Sequence, residues 1–271
     1  AYGKVKKIYL HNKIIIMKNY LFIFAVAIGF AQPPATPAES ALESTQTLDS
    51  LVSQSLVAKL PLTNIGPSVM SGRVTDLDVN PNTPHEFYVG YASGGLWYTN
   101  NNGTTFSPVM DNSPTQNIGD IAVHWPSHTI YVGTGENNSS RSSYAGIGIL
   151  KSTDKGASWQ HIGLADSHHI GKIEINPNDP NEVIVGVTGH LYSSDSTRGI
   201  YKTTDGGVSW IQTLSLEDPV GIIEISVAPD NFGVQYAAAW EKERKAWDFE
   251  GSGTGSGIYK STDAGATWQR I

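Results

Sequence analysis

From residue 60 onward the chain alternates between short apolar runs and turns rich in Gly, Pro, Asn and Asp. Apolar runs bounded by turn residues are typical of β-strands rather than of amphipathic helices. They recur in four units, which open with the segments Arg73–Val79, Ile118–Val123, Ile170–Ile175 and Ile222–Val227. Second runs follow at Phe87–Tyr91, Ile130–Gly133, Val183–Val187 and Val234–Trp240. With a third and a fourth run in each unit, the pattern predicts four antiparallel strands, repeated about every 50 residues.

An eight-residue signature lies between the third and fourth runs of each unit. Full copies stand at 152–159, 203–210 and 261–268, and a decayed copy with Asn and Phe stands at 99–106. An Asp that accepts backbone N–H groups and a Gly with positive φ make a tight turn, and a Trp then buries its ring. We call these segments box turns. Their structural residues are Asp154, Gly156, Trp159, Asp205, Gly207, Trp210, Asp263, Gly265 and Trp268.

The box turn resembles the Asp-box, or BNR repeat, of β-propellers. That resemblance implies an all-β fold, a β-propeller with four-stranded blades and Asp-box hairpins. We expect four blades of a larger ring, at about 71–110, 116–163, 168–213 and 220–271, within a partial propeller that spans 60–271. The chain then represents the N-terminal part of a longer protein. Leu60–Ile65 is expected to add an outer strand that closes the ring.

A second resemblance is to secreted bacterial propellers of the sortilin-N-terminal, glycosyl-hydrolase-like family. The similar stretches are Asn64–Pro67, Ser71–Val74, Tyr91–Trp97, Gly133–Asn137, Gly189–Leu191 and Trp240–Lys260. The resemblance implies a tandem-propeller architecture but no defined reaction.

Two classes of enzyme with this type of propeller have sequence motifs that can be sought in this chain. In xyloglucan-active glycoside hydrolases, the resemblance implies a catalytic Asp in the stretch that corresponds to Tyr91–Gly95, where this chain has Ala92. Glycoside hydrolysis needs two carboxyl groups, so one is missing there. Sialidases resemble the chain in their box turns, yet their Phe/Tyr-Arg-Ile-Pro motif does not occur. The sequence therefore leaves open whether the protein is an enzyme.

Charged residues recur at one position of the predicted innermost strands. Asp76, Asp120 and Glu224 match, with Lys172 as their counterpart in the third unit. They predict either a polar channel that holds a ligand or ion, or a solvated pore with charge pairing, and the pattern favours the pore. His168 and His169 are adjacent, so on a strand they point to opposite faces. We therefore expect no metal site and no cofactor.

Loops that connect the second and third strands lie on the face opposite the box turns, and we call it the loop-rich face. Two of these loops are long, at Gly135–Gly146 and Glu241–Ser256. Variable loops on one face commonly carry function. Aromatic and polar side chains there suit a sugar or a peptide, although the aromatics could simply pin the loop. The candidate ligand-binding residues are Glu136, Asn137, Arg141, Trp240, Arg244 and Trp247.

The first 31 residues carry five lysines and no acidic residue, and an apolar run spans Tyr20–Ala31. This pattern predicts upstream residues and a signal peptide that starts at Met17, with an uncleaved membrane anchor as the alternative. Residues 32–59 read as a linker with a possible short helix. Removal of five lysines leaves 13 basic residues (18 less 5) against 25 acidic ones, a net charge of −12. Such a charge argues against nucleic-acid binding.

Three functions remain open at this point. The first is an exported propeller, periplasmic, cell-surface or secreted, that binds carbohydrate or peptide and does not contact the membrane after signal cleavage. The second is a glycoside hydrolase, sialidase- or xyloglucanase-like, whose catalytic carboxylates lie partly in further blades. The third is a structural scaffold at the cell surface.

Overall fold

A computed structural model describes residues 35–60 and 72–271. The elements below belong to one compact unit, Thr36–Ile271. The upstream residues and the predicted signal peptide, together 1–31, lie outside the described residues. So do all but the first residue of the predicted closing strand Leu60–Ile65.

Sixteen of the strands form four four-stranded antiparallel sheets, one for each predicted unit, so the all-β propeller fold is confirmed. A separate two-stranded hairpin interrupts the fourth sheet. Blade 1 contains β1 (Val74–Val79), β2 (Phe87–Tyr91), β3 (Gly95–Thr99) and β4 (Ser107–Pro108). Blade 2 contains β5 (Ile118–His124), β6 (Thr129–Thr134), β7 (Ile149–Ser152) and β8 (Gln160–His161). Blade 3 contains β9 (Ile170–Asn176), β10 (Asp179–Val187), β11 (Gly199–Thr203) and β12 (Ile211–Ser215). Blade 4 contains β13 (Val220–Ala228), β14 (Asn231–Glu241), the hairpin strands β15 (Glu243–Arg244) and β16 (Phe249–Glu250), then β17 (Gly257–Ser261) and β18 (Gln269–Arg270).

The innermost strand of every blade has a register shift at the same place. One extra residue lies there in each strand, namely Thr75, Gly119, Gly171 and Ile223. A bulge of this kind bends a strand and redirects the side chains that follow it. The residue after each bulge is the charged one, so the four charged positions are structurally equivalent.

Successive blades pack through isoleucines that enter a space above a glycine. Ile118 and Ile170 are the first residues of β5 and β9, and Ile222 is the third residue of β13. In that order, they contact Gly90, Gly133 and Gly186 of the preceding blade. Three clusters of buried side chains lie at these joints, one between each pair of neighbouring blades. The fourth blade has Ala238 where the others have glycine. The core is therefore divided among three equivalent joints.

A helix, α1 (Ala38–Gln54), precedes the first blade, in the stretch that reads as a linker. It begins ten residues before Leu48, the first apolar residue of the short helix that the sequence suggests, because Ala, Glu, Leu and Gln favour helix after Pro37. No residue of α1 is buried, and only Ala41 and Leu42 pack against the first core cluster. Among the described residues, no helix is long and apolar enough to cross a membrane.

Candidate functional site

The Asp carboxylate of each full box turn is hydrogen-bonded to residues of the same turn. In blade 2, Asp154 Oδ1 accepts the Ser158 N–H at 2.9 Å and Oδ2 accepts the Ser158 hydroxyl at 2.5 Å. Ser152 donates to Asp154 at 2.7 Å and accepts the Gly156 N–H at 2.8 Å. The same bonds recur in the other two copies. These hydrogen bonds, the Ser158 hydroxyl first, lower the pKa of Asp154 to about 2. The box carboxylates are turn acceptors rather than catalytic groups.

Each box turn also joins its blade to the preceding one, through hydrogen bonds whose donor lies on either blade. The Trp159 indole donates back to the Val109 carbonyl of blade 1 at 2.8 Å, and Trp210 donates to Ile162 of blade 2 at 2.8 Å. In the forward direction, Lys151 of blade 2 donates to the Gly206 carbonyl in the box turn of blade 3 at 3.0 Å. Lys202 does the same to Ala264 at 2.8 Å. Each box turn is therefore a fastener between adjacent blades.

The decayed copy in blade 1 keeps the turn and loses the fastener. Asn101 Oδ1 accepts the Thr105 N–H at 3.0 Å, and its amide donates to the Thr105 hydroxyl at 2.8 Å. Asparagine thus reproduces the geometry with one hydrogen bond reversed. Phe106 has no N–H group and packs edge-on against Phe87, with ring centres 6.1 Å apart.

Three of the four charged residues on the innermost strands form one ion-paired group. Lys172 Nζ lies 3.1 Å from Asp120 and 3.8 Å from Asp76. Each aspartate also accepts a backbone N–H of the following blade, Asp76 from Ile121 at 3.3 Å and Asp120 from Ile173 at 2.7 Å. Glu224 instead accepts the N–H of its neighbour Ile225 at 3.1 Å. These charged side chains are thus engaged in ion pairs and in hydrogen bonds to the backbone.

Two further carboxylates along the same strands were not singled out from the sequence. Asp78 accepts the Val123 N–H and the Trp125 indole N–H, both at 2.7 Å. Burial raises the pKa of Asp78 to about 6 and that of Glu174 to about 7. Their spacing of two residues from Asp76 and Lys172, which places them on the same strand face, is the signal that could have revealed them.

The blade 2 candidates act mainly at blade joints. Glu136 is buried and pairs with Arg73, which comes just before β1 of blade 1. The Asn137 amide donates to Gly119 at 3.4 Å and to Gly171 at 3.0 Å, which links the inner strands of blades 2 and 3. Arg141 is exposed, and its carbonyl accepts the Tyr192 hydroxyl at 3.1 Å. Of the three, Arg141 is the one whose side chain faces solvent.

The blade 4 candidates gather around the hairpin β15–β16. The Trp240 indole donates to the Gly251 carbonyl at 2.8 Å, and its ring meets Phe249 edge-on at 6.2 Å. The Arg244 guanidinium lies 5.0 Å from the centre of the Phe249 ring. Trp240 therefore pins the loop, whereas Trp247 in the hairpin turn is 66% exposed.

Exposed aromatic side chains come from three consecutive loops of the loop-rich face. Tyr144 belongs to the blade 2 loop, Tyr192 to blade 3, and Trp247 and Phe249 to blade 4. Their exposed fractions range from 36% for Tyr192 to 66% for Trp247. Tyr144 and Tyr192 were missed from the sequence, although each is the single aromatic residue between the second and third strands of its blade. The four residues form what we call the aromatic row.

One histidine cluster was also missed, because the sequence does not place His190 beside His168. Ligand atoms of Asp166, His168 and His190 all lie within 4.8 Å of one another. The two imidazole rings are stacked in parallel, 3.6 Å apart, and both His190 nitrogens already have partners, Ser193 Oγ and the Asp166 carbonyl. Imidazole binds metals through in-plane lone pairs, so stacked parallel rings cannot converge on one ion. The cluster does not fit a metal.

A cavity of about 530 Å³ lies on the box-turn side of the blades, between the outer strand of blade 2 and the box turn of blade 3. Several polar groups of its lining are already engaged. Lys151 donates to Gly206, His161 shares a hydrogen bond with the Ile147 carbonyl, and Asp205 is held within its box turn. The cavity offers few free groups to a ligand.

Comparison with known proteins shows that the fold is similar to that of GH74 β-propeller enzymes. No known family model matches the chain. The xyloglucanase Xgh74A of Acetivibrio thermocellus is 26% identical over 72% of this chain and 25% of its own length. Similar solved structures are an ancestral GH74 enzyme (TM-score 0.54, 21% identity, covering 73% of this chain and 25% of that one) and the GH74 enzyme of Niastella koreensis (0.52, 22%, 72% and 28%). A third is the GH74 xyloglucanase of Xanthomonas campestris (0.51, 16%, 72% and 29%). The chain spans about a quarter of the length of the curated relatives it matches. Together with the four blades, these matches show that the chain has a glycoside-hydrolase-like β-propeller fold.

Proposed function

We propose that this protein binds carbohydrate on its loop-rich face. The aromatic row carries the proposal, because flat apolar ring faces beside polar groups are suited to the faces of sugar rings. Loops of blades 2, 3 and 4 each contribute to the row, as a binding site for an extended oligosaccharide would require. On the box-turn side, by contrast, Lys151 and His161 of the cavity are already hydrogen-bonded.

The similarity to Xgh74A supports this proposal, because that protein is a xyloglucanase and so acts on a polysaccharide. We also infer, from the box turns and the basic-apolar N-terminus, a relationship to secreted Asp-box propellers and export by the predicted signal peptide.

Hydrolysis is the second candidate function, and the same similarity favours it. Within this chain Ala92 stands where the resemblance implies a catalytic carboxylate, and Glu136, the buried acid on that face, is paired with Arg73. Inverting and retaining mechanisms both need two carboxyl groups, about 5–9.5 Å apart. We therefore propose that these blades bind, and that any hydrolysis by the whole protein uses groups outside them.

Calorimetric titration of the full chain with a panel of neutral and acidic oligosaccharides tests the proposal. Trp247→Ala and Tyr192→Ala should each weaken binding by about tenfold, since one lost aromatic contact is worth about 1 kcal/mol or more. Val208→Ala is the control, because Val208 is 88% exposed on the box turn of blade 3.

Unchanged affinity in the Trp247→Ala, Tyr192→Ala double variant would place the site elsewhere. If no glycan binds while an extended peptide does, the ligand is a peptide and the proposal fails. If nothing binds, the scaffold hypothesis gains. Release of reducing ends by these blades alone would establish hydrolysis instead.

A further inference from the structure

Cationic side chains accompany the aromatic residues of the loop-rich face. Trp240, Lys242 and Arg244 alternate along the chain and belong to one cluster: Lys242 Nζ lies 5.6 Å from the Trp240 ring, and Arg244 lies 5.0 Å from that of Phe249. The intervening acids have other partners. Glu241 accepts the Gly255 N–H at 2.6 Å, and Glu243 pairs with Lys245 at 3.1 Å. The cluster of Trp240, Lys242, Arg244 and Phe249 thus combines aromatic and cationic groups.

Among the described residues, no carboxylate pairs directly with Lys242, Arg244 or Arg141. All 25 Asp and Glu residues of the chain fall within the described residues, and none lies within 4 Å of Lys242, Arg244 or Arg141 there. Ion pairs within the described part instead engage five other Lys and Arg residues, namely Arg73, Lys172, Arg198, Lys202 and Lys245. In a chain with a net charge of −7, unpaired cations beside exposed aromatics call for an explanation.

Lys242 adds a buried positive charge to this cluster. Its side chain is buried near Arg198, which Asp195 and Asp218 hold at 3.0 and 2.8 Å. Burial and then the charge of Arg198 lower the pKa of Lys242 to about 8, although both aspartates act in the opposite direction. The two carboxylates that pair with Arg198 therefore do not compensate Lys242 fully.

Resting on the proposed carbohydrate binding, we propose that the loop-rich face prefers glycans that carry carboxylate groups, that is, uronic acid residues. Aromatic rings stack on the sugar, and Arg244 provides the hydrogen-bonded ion pair to the carboxylate, since a guanidinium suits planar two-point contact. Arg141 beside Tyr192 offers a second such contact on blade 2. Lys242 acts through its charge, because its burial keeps it from the ligand surface.

The test compares two ligands that differ only in charge: tetragalacturonate and its fully methyl-esterified form. We expect the full chain to bind the free acid about tenfold or more tightly, as a charge-assisted hydrogen bond in a partly buried site provides. The preference should shrink as salt rises from 0.05 to 0.5 M, since salt screens exposed charges. Arg244→Gln should remove most of it, and Arg141→Gln part of it.

Lys245→Gln is the matched control, because Lys245 lies next to Arg244 in sequence but is paired with Glu243. It should leave the preference unchanged. Equal binding of acid and ester, or binding of neutral oligosaccharides alone, would overturn the preference and leave carbohydrate binding intact. A preference that survives in the Arg244→Gln, Arg141→Gln double variant would overturn the assignment of these residues. Failure of every glycan to bind would instead refute the proposed function itself.

Discussion

Substitution of Gly133 by alanine tests the way in which the blades pack. An added Cβ at Gly133 would lie 2.4 Å from Ile170 Cγ2 and 2.7 Å from its Cβ, too close for any contact between carbon atoms. Ile170 is fully buried at the start of β9, so it has no free space into which it can turn. The strand or the neighbouring blade must therefore shift.

Overpacking of this kind destabilises a core by about 1–3 kcal/mol. The gain from removing a flexible glycine from the unfolded chain, about 0.4–1 kcal/mol, offsets part of that cost. We expect Gly133→Ala to lower the unfolding free energy by about 1–2 kcal/mol, and Tm by about 2–8 °C in a domain of this size. Gly90→Ala is the internal comparison, because its Cβ would meet side chains at 3.3 Å and no closer. It should change stability by less than about 1 kcal/mol.

Urea denaturation of the full chain, followed by tryptophan fluorescence, measures both variants. Combining Gly133→Ala with Ile170→Ala provides the decisive control, since truncation of Ile170 removes Cγ2, the closer of the two clashing atoms. The double variant should be more stable than the sum of the two single changes predicts, by about 1 kcal/mol or more. Equal effects of Gly133→Ala and Gly90→Ala, or strict additivity of the double variant, would refute this account of the blade joint.

Three other predictions concern hydrogen bonds and charges. Trp210→Phe removes the indole bond to the Ile162 carbonyl, and urea unfolding should show a loss of about 1 kcal/mol; no loss would mean that the fastener contributes only through packing. Lys172→Met leaves buried Asp120 without its cation and should lower the unfolding free energy by about 3–5 kcal/mol at neutral pH. Because burial holds the pKa of Asp120 well above its ordinary value, this loss should shrink in acid. An equal loss at pH 4 and pH 7 would contradict the pairing. Burial raises the pKa of Asp78 from 3.8 to about 6 and that of Glu174 from 4.5 to about 7, so the folded protein binds more protons than the unfolded chain between about pH 4 and 7, and these two groups should make the unfolding free energy fall as pH rises through that range. Asp78→Asn with Glu174→Gln should flatten the fall, and an unchanged pH profile would exclude both groups as its source.

Local patterns made the fold predictable. The bounds of Phe87–Tyr91 agree residue for residue, because a short apolar run and its flanking turns are properties of the segment itself. Box turns follow for the same reason, since every bond of Asp154 lies within five residues. The helix Ala38–Gln54 was underestimated because its polar residues are compatible with either a tether or a helix.

Contacts of the candidate site depend instead on how blades are arranged. Glu136 meets Arg73 across 63 positions of sequence, and His190 stacks on His168 across a whole hairpin. Nothing within either segment records its partner. Tyr144 and Tyr192 could have been chosen from their position in the second-to-third loops alone, but only the structure shows that both stay exposed.

The hydrogen bonds that fasten each box turn to the neighbouring blade affect how the protein responds to a ligand. Each one couples a blade only to the blade beside it, so stability is transmitted step by step, as in a linear array with nearest-neighbour terms. Local opening at one joint then leaves distant blades intact. A sugar chain long enough to lie along the loops of blades 2, 3 and 4 would connect blades that the box turns link only in neighbouring pairs, and its binding should make separate openings merge into a single cooperative transition.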